Sequence, residues 1–368
     1  EASGTFTAPP PLEKPLQQPA EPKTPLNIIL VIGDGMGQGA YDVTSLYMHG
    51  DTRKLVMQHL PIAGLCATYS ANSAVTDSAA SGTALSCGEK TNNGRIGMTA
   101  DKKKLKSIAR FAREMGKSVA VITDDALHGA TPSVFYANQD ARGKAHEIIA
   151  DAATCGFDIL IGNSGSKNIF LTNGVAPNQR NIWTEMEAAG YTFVENLDAF
   201  DKAPENRKVV GLFSPSILNE HDSKVETLIK TALARLSKNP KGFFMMIEST
   251  YPDSGGHGNN PQVTVRGTLR ADWIIRTLID FAGDRGDTLI VVTADHETGG
   301  ISTIQSAAPN TKQSIVYTTR GHTGALVPVY AYGPFAEQFG GHINNVDIPR
   351  KMAKLWGVTL PVIMDEEE

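Results

Sequence analysis

Seven short apolar runs alternate with helical patterns along the chain from about Leu26 onward. Each run has the length of a strand and is apolar at successive positions, which is typical of strands covered by helices on both sides of a sheet. The runs are LNIILVIGD, SVAVITD, FDILIG, KVVGLF, FFMMIES, TLIVVTAD and VPVYAYG. Their alternation with helices predicts an α/β fold, a three-layer α/β/α sandwich around a large, mostly parallel central sheet.

Composition narrows the possible partners. The 368 residues carry a formal net charge of −5, so the basic surplus expected of a protein that binds a nucleic-acid backbone is missing. No apolar run approaches the roughly 20 residues needed to cross a bilayer. We therefore expect no nucleic-acid partner and no membrane span.

Proline marks the start of the chain as a separate segment. Residues 1–25 hold seven prolines, which predicts a flexible N-terminal tail or, alternatively, an extended wrap over the surface; the flexible tail is the expected arrangement. Residues 26–368 are predicted to form one domain. The three cysteines show no C-x-x-C spacing, and Cys87 is expected to be a packed core thiol.

Acids and a histidine stand at the ends of several apolar runs. Asp34 ends the first run, Glu248 closes FFMMIE, and Asp295 and His296 follow TLIVVTA. Because functional groups in such a sheet gather at the carboxyl ends of the strands, we expect these side chains to meet there. The adjacent pair can share a metal only where its strand ends and the backbone turns.

Two further motifs add ligands to this set. Asp253 and His257 are separated by Ser-Gly-Gly, and the two glycines predict a compact loop, rather than a helix, that turns both side chains toward one point. His322 stands in RGHTG. Nitrogen and oxygen ligands without sulfur suit zinc, and all-oxygen sets suit magnesium. The combined set predicts a multinuclear metal site.

Ser78 lies in VTDSAASGTAL, where a turn of small residues leads into a predicted helix. Considered alone, this pattern indicates a helix N-cap by Ser78 or Asp77. Beside metals, a serine is a candidate nucleophile, and a helix N-terminus favours a phosphate-like anion. Together with the metal ligands, Ser78 points to metal-assisted ester hydrolysis.

These motifs resemble those of the alkaline phosphatase family. The sequences VTDSAASGTAL, E-x4-D-x3-H, ADHETGG and GHTG occur in the family's order, and the resemblance extends from about Leu26 to about Val362. Only 25 residues separate His296 from His322, so the resemblance is to a compact bacterial form without the crown insertion. It implies that residues 26–368 are a single catalytic domain that hydrolyses phosphate monoesters to alcohol and inorganic phosphate.

The resemblance also implies roles for matching residues, with two Zn²⁺ and one Mg²⁺ per chain. Ser78 would form a covalent phosphoserine, and Arg142 would clamp the phosphate as a catalytic and substrate-binding residue. Asp253, His257 and His322 would bind the first zinc. Asp34, Asp295 and His296 would bind the second zinc. Asp34, Glu248 and Thr131 would bind the magnesium.

Assembly and location follow from the same resemblance. A homodimer is expected, and the protein would be periplasmic or secreted. The chain starts at Glu1 rather than Met, which we interpret as removal of a signal peptide.

Two positions depart from the family pattern. Gly129, two residues before Thr131, stands where the family usually has Asp or His, and Ser254 follows the first zinc aspartate where Lys, His or Trp is common. Both departures bear on phosphate and magnesium affinity. The alternatives are a phosphodiesterase or nucleotide pyrophosphatase of the same superfamily, a non-catalytic phosphate or metal binder and, ranked lower, a phosphomutase. Thr131, Glu248 and Arg142 favour the phosphomonoesterase.

Overall fold

A ten-stranded sheet forms the centre of the protein. The computed structural model describes residues 6–19, 23–171, 181–218, 223–283, 285–304 and 315–364. The strands are β1 Asn27–Gly33, β2 Ile62–Ala67, β3 Ser118–Ile122, β4 Ile159–Asn163, β5 Tyr191–Val194, β6 Lys208–Phe213, β7 Phe243–Ser249, β8 Thr288–Ala294, β9 Glu297–Thr298, β10 Ile301–Thr303, β11 Ile315–Tyr317, β12 His322–Thr323, β13 Val327–Tyr332 and β14 Gly341–Asn344.

Helices occupy most of the connections between these strands. They are α1 Gln38–His49, α2 Ser78–Cys87, α3 Ile108–Glu114, α4 Ala130–Ser133, α5 Ala145–Thr154, α6 Lys167–Leu171, α7 Ile182–Ala188, α8 Leu197–Asp201, α9 Pro215–Leu218, α10 Ser223–Leu236, α11 Tyr251–Gly258, α12 Pro261–Ala282 and α13 Asp347–Leu355. Among the described helices, none combines the length and the apolar character that a bilayer crossing requires.

The large sheet has the strand order β14-β2-β13-β8-β1-β7-β3-β4-β6-β5. Strand β13 pairs antiparallel with both β2 and β8. The remaining neighbouring strands of the large sheet pair in parallel. The predicted mostly parallel α/β fold is confirmed. The two small sheets, β10 with β11 and β12 with β9, stand beside it.

The central strands β1, β7 and β8 are buried at every position, as their continuous apolar runs predict. Helix α12 packs on β1 and β7 and contacts α1 and α10, while α3 packs on β3 and β7 and contacts α2 and α13. Cys66, Cys87 and Cys155 are all buried free thiols, so the expectation for Cys87 is confirmed.

The order of the central strands determines where the functional residues meet. Strands β8, β1, β7 and β3 are consecutive neighbours, and their registers align Gly33 of β1 with Ala294 of β8 and Ser249 of β7. The segments that follow these strands therefore leave the sheet at one edge. They carry Asp34, Asp253 and Asp295, as well as the acid-rich turn after β3.

The described part of the proline-rich segment lies on the domain surface. The Phe6 ring contacts Tyr47 of α1 at a centroid distance of 5.7 Å. Trp273 of α12 donates its indole N–H to the Thr7 carbonyl at 2.8 Å, and Arg276 donates to the Pro10 carbonyl at 3.0 Å. These contacts correspond to the second of the two arrangements predicted from the prolines, an extended segment that wraps over the surface. The division into a tail of residues 1–25 and a single domain of residues 26–368 stays a prediction.

Candidate metal centre

Asp34, Asp295 and His296 form one group at the carboxyl edge, with one possible ligand atom from each lying within 4.8 Å of the others. The His296 Nε2 atom is 3.4 Å from Asp34 Oδ1 and 3.3 Å from Asp295 Oδ2. Backbone N–H groups of Gly35 and His296 donate to Asp295 Oδ1 at 3.1 and 2.9 Å. These bonds hold the carboxylate so that Oδ2 faces the group.

Asp253, His257 and His322, the predicted ligands of one zinc, lie beside the first group and are called the second group. Asp253 and His322 also place possible ligand atoms within 4.8 Å of one on His296, whereas His257 adjoins them through Asp253. Asp253 places Oδ2 at 3.4 Å from His257 Nε2 and Oδ1 at 3.5 Å from His322 Nε2. The rings of His322 and His296 stack with centroids 3.6 Å apart and planes 19° apart. The two groups therefore adjoin through stacked imidazoles.

The segment around Asp253 and His257 is a helix, which corrects the predicted loop. Helix α11 has a proline in its first turn, and its adjacent glycines Gly255 and Gly256 allow close packing. A Cβ at Gly255 would lie 2.3 Å from Thr264 Oγ1, and one at Gly256 would lie 2.5 Å from the Thr298 carbonyl oxygen. Tertiary packing outweighs the low helix propensity of glycine here. The i, i+4 spacing then places both ligands on one face.

Backbone carbonyls orient two of the three histidines. His322 Nδ1 lies 2.9 Å from the Thr76 carbonyl oxygen, and His257 Nδ1 lies 2.5 Å from the Arg320 carbonyl oxygen. A carbonyl oxygen only accepts, so Nδ1 carries the hydrogen in both rings. In a neutral ring this leaves the Nε2 lone pair directed at Asp253, the arrangement found in ligating histidines.

Burial opposes the ionisation of the side chains at this edge of the sheet. It raises the pKa of Asp34 well above its usual value, with repulsion from Asp295 as the next cause, and raises the pKa of Asp295 to about 6. Burial, then proximity to His322, lowers the pKa of His296 to about 3. Asp34 Oδ1 and Asp295 Oδ2 are buried and lack a hydrogen-bond partner among the described residues. A neutral His296 imidazole, crowded carboxylates and carboxylate oxygens without partners fit divalent cations.

Glu248 occupies the β7 side of the edge. Its Oε2 accepts from Thr123 Oγ1 at 2.5 Å, and the same hydroxyl oxygen accepts from the backbone N–H of Asp125 at 2.9 Å. Burial, then the Asp125 charge, raises the pKa of Glu248 well above its usual value. Thr131 lies in α4, which packs on β7 and α2. Its buried hydroxyl has no hydrogen-bond partner within the described ranges.

The two departures from the family pattern lie in different surroundings. A Cβ at Gly129 would lie 2.2 Å from Asp125 Oδ2, so the Asp125 carboxylate fills the space beside this glycine. Ser254 is exposed on α11.

Ser78 is the first residue of α2, and Asp77 is the N-cap, accepting from the Ala80 N–H at 2.9 Å. Ser78 Oγ lies 3.1 Å from His296 Nε2. Ser81, one turn later, donates to the Asp295 carbonyl at 2.6 Å and ties the helix to the end of β8. The serine therefore faces the first ligand group.

Arg142 reaches the same helix terminus. Its Nη1 donates to Asp77 Oδ2 at 3.2 Å, and its side chain is 45% exposed, so the guanidinium is held beside Ser78 and open to solvent. A planar bidentate donor at a helix N-terminus is suited to an anion such as phosphate.

Four residues whose side chains or backbone hydrogen-bond within this site were not predicted as site residues from the sequence. Asp77 was named only as a possible cap, and Thr123, Asp125 and Thr298 were not named. Thr298 had a usable signal, because it lies two residues after His296, and alternate residues of an extended segment share a face. Thr123 and Asp125 follow β3, whose end could have been included among the functional strand ends.

A mostly parallel α/β sheet with candidate nitrogen and oxygen ligands at its carboxyl edge, beside a serine and an arginine at a helix N-terminus, is typical of metal-dependent phosphate-ester hydrolases. Comparison with known proteins identifies the family. A family model for alkaline phosphatase matches residues 26–311.

Individual relatives agree with this match. Alkaline phosphatase 4 of Bacillus subtilis is 30% identical over 87% of this chain and 86% of its own length. The structure of alkaline phosphatase from the Antarctic bacterium TAB5 has a TM-score of 0.81 at 30% identity and covers 92% of this chain and 100% of its own. A variant of that relative is described with Mg bound in the M3 site.

A cold-active alkaline phosphatase from Shewanella sp. has a TM-score of 0.79 at 26% identity, covering 89% of this chain and 99% of its own. The chain belongs to the alkaline phosphatase family, and it is an enzyme of the phosphoric monoester hydrolase class.

Proposed function

We propose that this enzyme hydrolyses phosphate monoesters through a covalent phosphoserine at Ser78. The position of Ser78 Oγ, 3.1 Å from His296 Nε2 and at the start of α2, carries this proposal. Ser78 Oγ forms a bond to phosphorus as the ester P–O bond breaks. The serine hydroxyl loses its proton, and the departing alcohol gains one. Water then attacks the phosphoserine, which releases inorganic phosphate and restores the hydroxyl.

Arg142 binds the non-bridging phosphate oxygens in this proposal. Asp77 holds the Arg142 guanidinium in place, because its Oδ2 accepts from Arg142 while its Oδ1 accepts from the Ala80 N–H. The same aspartate thereby holds both the clamp and the helix that carries the nucleophile. The α2 N-terminus adds its dipole to the attraction of the anion.

Two Zn²⁺ and one Mg²⁺ are the proposed cofactors. Asp253, His257 and His322 would hold one zinc; Asp34, Asp295 and His296 would hold the other; Asp34, Glu248 and Thr131 would hold the magnesium. The zinc assignments rest on mixed nitrogen and oxygen donors, and the magnesium assignment on oxygen donors alone. Bound cations would activate the nucleophile and neutralise developing charge.

Comparison of a monoester with a diester tests the assignment. Turnover of p-nitrophenyl phosphate and bis-p-nitrophenyl phosphate is measured at alkaline pH, after chelation and after restoration of zinc and magnesium. A metal-dependent preference for the monoester is expected. Preference for the diester would indicate the phosphodiesterase branch, and turnover of neither would indicate a binding protein.

A homodimer and a periplasmic or secreted location complete the proposal, both supported by family membership. Exposed Tyr69 and Leu326 line one groove and offer apolar surface for a second copy. Light scattering coupled to size exclusion tests the dimer, which a monomer mass at micromolar concentration would exclude. Fractionation of the native cells tests the location, which phosphatase activity confined to the cytoplasm would exclude.

A further inference from the structure

Thr298 connects the two ligand groups through one hydroxyl. It is completely buried and directly follows Glu297 in β9, where its backbone pairs with His322. Its Oγ1 lies 2.6 Å from Asp253 Oδ1 and 3.1 Å from His296 Nδ1. Asp253 belongs to one group and His296 to the other, so a single side chain contacts both.

The Thr298 hydroxyl can donate its hydrogen to only one of these two partners, Asp253 or His296. A hydroxyl has one hydrogen and two lone pairs, whereas an ionised carboxylate only accepts. The 2.6 Å contact with Asp253 therefore takes the Thr298 hydrogen, as its shortness for a bond to a carboxylate indicates. The contact with His296 then needs a hydrogen on the imidazole, and Nδ1 must carry it.

This sets His296 apart from the other two histidines. Carbonyl oxygens impose an Nδ1 hydrogen on His257 and His322. For His296, the partner is a hydroxyl that could also donate, and only its bond to Asp253 makes it an acceptor. The tautomer of His296 thus depends on a side chain that can be replaced.

We propose that Thr298 is a positioning residue that donates to Asp253, accepts from His296 Nδ1, and so keeps His296 Nε2 free as a ligand beside Ser78. This deepens the proposed function and rests on it, since it assigns a residue that orients ligands in both proposed zinc groups. Hydrogen-bond partners of ligating side chains are worth roughly 10- to 100-fold in metal affinity.

The test compares three variants of the full chain, with and without zinc. Thr298→Val removes the hydroxyl with little change in volume, and Thr298→Ser keeps it. Thr268→Val removes a buried hydroxyl of α12 that donates to the Thr264 carbonyl. Zinc affinity is measured by competition with a chelator. The hydrogen on His296 Nδ1 is followed by ¹⁵N NMR of the histidine-labelled, metal-free protein, because bound zinc would fix it there in every variant.

We expect Thr298→Val to weaken zinc binding about 10- to 100-fold and to remove the Nδ1–H signature of His296 in the metal-free protein, where the Nε2 hydrogen can instead face Asp34 and Asp295. Thr298→Ser restores both, and Thr268→Val changes neither. Unchanged affinity and signature in Thr298→Val would overturn the proposal. So would a Thr298→Ser variant as weak as Thr298→Val, because the threonine methyl packing near Gly256 would then be the cause.

A replacement variant and a separate criterion cover the cases in which Thr298→Val does not fold or the proposed function is wrong. If Thr298→Val does not fold, Thr298→Ala removes the same hydroxyl from a smaller side chain and replaces it in the comparison. If the parent binds zinc but shows no monoesterase activity, the proposed function is wrong, whereas zinc affinity and the NMR signature still decide the role of Thr298.

Discussion

Ser78 Oγ lies 3.1 Å from His296 Nε2, although the two residues are 218 positions apart in the chain. The contact joins the first residue of α2 to the residue that follows the end of β8 by two positions. Ser81 strengthens this junction by donating to the Asp295 carbonyl. The nucleophile of the proposed reaction is therefore positioned by the same strand end that carries two of the proposed metal ligands.

Replacement of Ser78 by alanine is expected to lower kcat roughly 10³-fold or more, because the covalent step has no other nucleophile. Ser86→Ala is the matched control, since it removes a buried hydroxyl of the same helix that bonds the Thr83 carbonyl. Steady-state turnover of p-nitrophenyl phosphate and trapping of phosphoprotein at acid pH measure the effect. A Ser78→Ala enzyme with parental kcat would exclude the phosphoserine route.

Removal of the Arg142 guanidinium is expected to weaken phosphate binding. Arg142→Ala should raise the inhibition constant for inorganic phosphate about tenfold or more, because a bidentate charged donor is lost. Arg285→Ala is the control, since Arg285 forms a similarly exposed pair with Asp287 at 2.9 Å, near the amino end of β8. Equal effects of the two substitutions on the inhibition constant would contradict a phosphate clamp at Arg142.

Chelation is expected to lower the melting temperature, because the acids at the edge would lose the cations that offset their repulsion. Asp295→Asn sharpens this test. An asparagine Oδ1 can still accept from Gly35 and His296, while one negative charge is removed. The substitution should therefore raise the melting temperature of the chelated protein and lower that of the zinc-loaded protein. A change of the same sign in both forms would argue against metal binding at Asp295.

Much of this site followed from the sequence because buried parallel strands leave clear apolar runs. Asp34 and Asp295 follow such runs directly, and a parallel sheet brings their ends together. The helix at Asp253 and His257 was not predictable in this way, since Gly255 and Gly256 read locally as a loop. Their role as close contacts with Thr264 and Thr298 exists only in the folded chain.

The residues that hydrogen-bond to the proposed ligands could not be predicted from the sequence for a related reason. Hydroxyls such as that of Thr298 carry no local pattern that distinguishes a partner of a ligand from an ordinary strand residue. The surface course of the N-terminal segment likewise depends on carbonyls accepting from Trp273 and Arg276, far along the chain. Proline content predicts an extended backbone but does not reveal such contacts.

Asp272 gives a pH-dependent prediction away from the site. It is buried and accepts the Val56 and Met57 N–H groups at 3.1 and 2.9 Å, and burial raises its pKa from 3.8 to about 7. Between these values the folded state binds more protons than the unfolded state, so this group makes the free energy of unfolding fall as pH rises. Asp272→Asn removes that contribution.

The variant should also lose about 1–3 kcal/mol, because its amide N–H₂ faces a backbone donor. The stability advantage of the parent over Asp272→Asn should therefore be larger at pH 5 than at pH 8, which urea unfolding at both values measures. Metal release affects both proteins and largely cancels in the difference. An advantage that grows with pH would show that the folded-state pKa is lowered instead.

Gly129 provides a test of the crowding next to Glu248. A Cβ there would lie 2.2 Å from Asp125 Oδ2 and 2.9 Å from the Ala126 carbonyl oxygen, so Gly129→Ala should cost about 1–3 kcal/mol. Gly143→Ala is the control, since nothing lies within 4 Å of its added Cβ. Because the nearest contact is the Asp125 carboxylate, Asp125→Ala combined with Gly129→Ala should recover part of the loss. A double-mutant cycle from denaturant unfolding measures this coupling, and strictly additive losses would show that Asp125 does not fill the space beside Gly129.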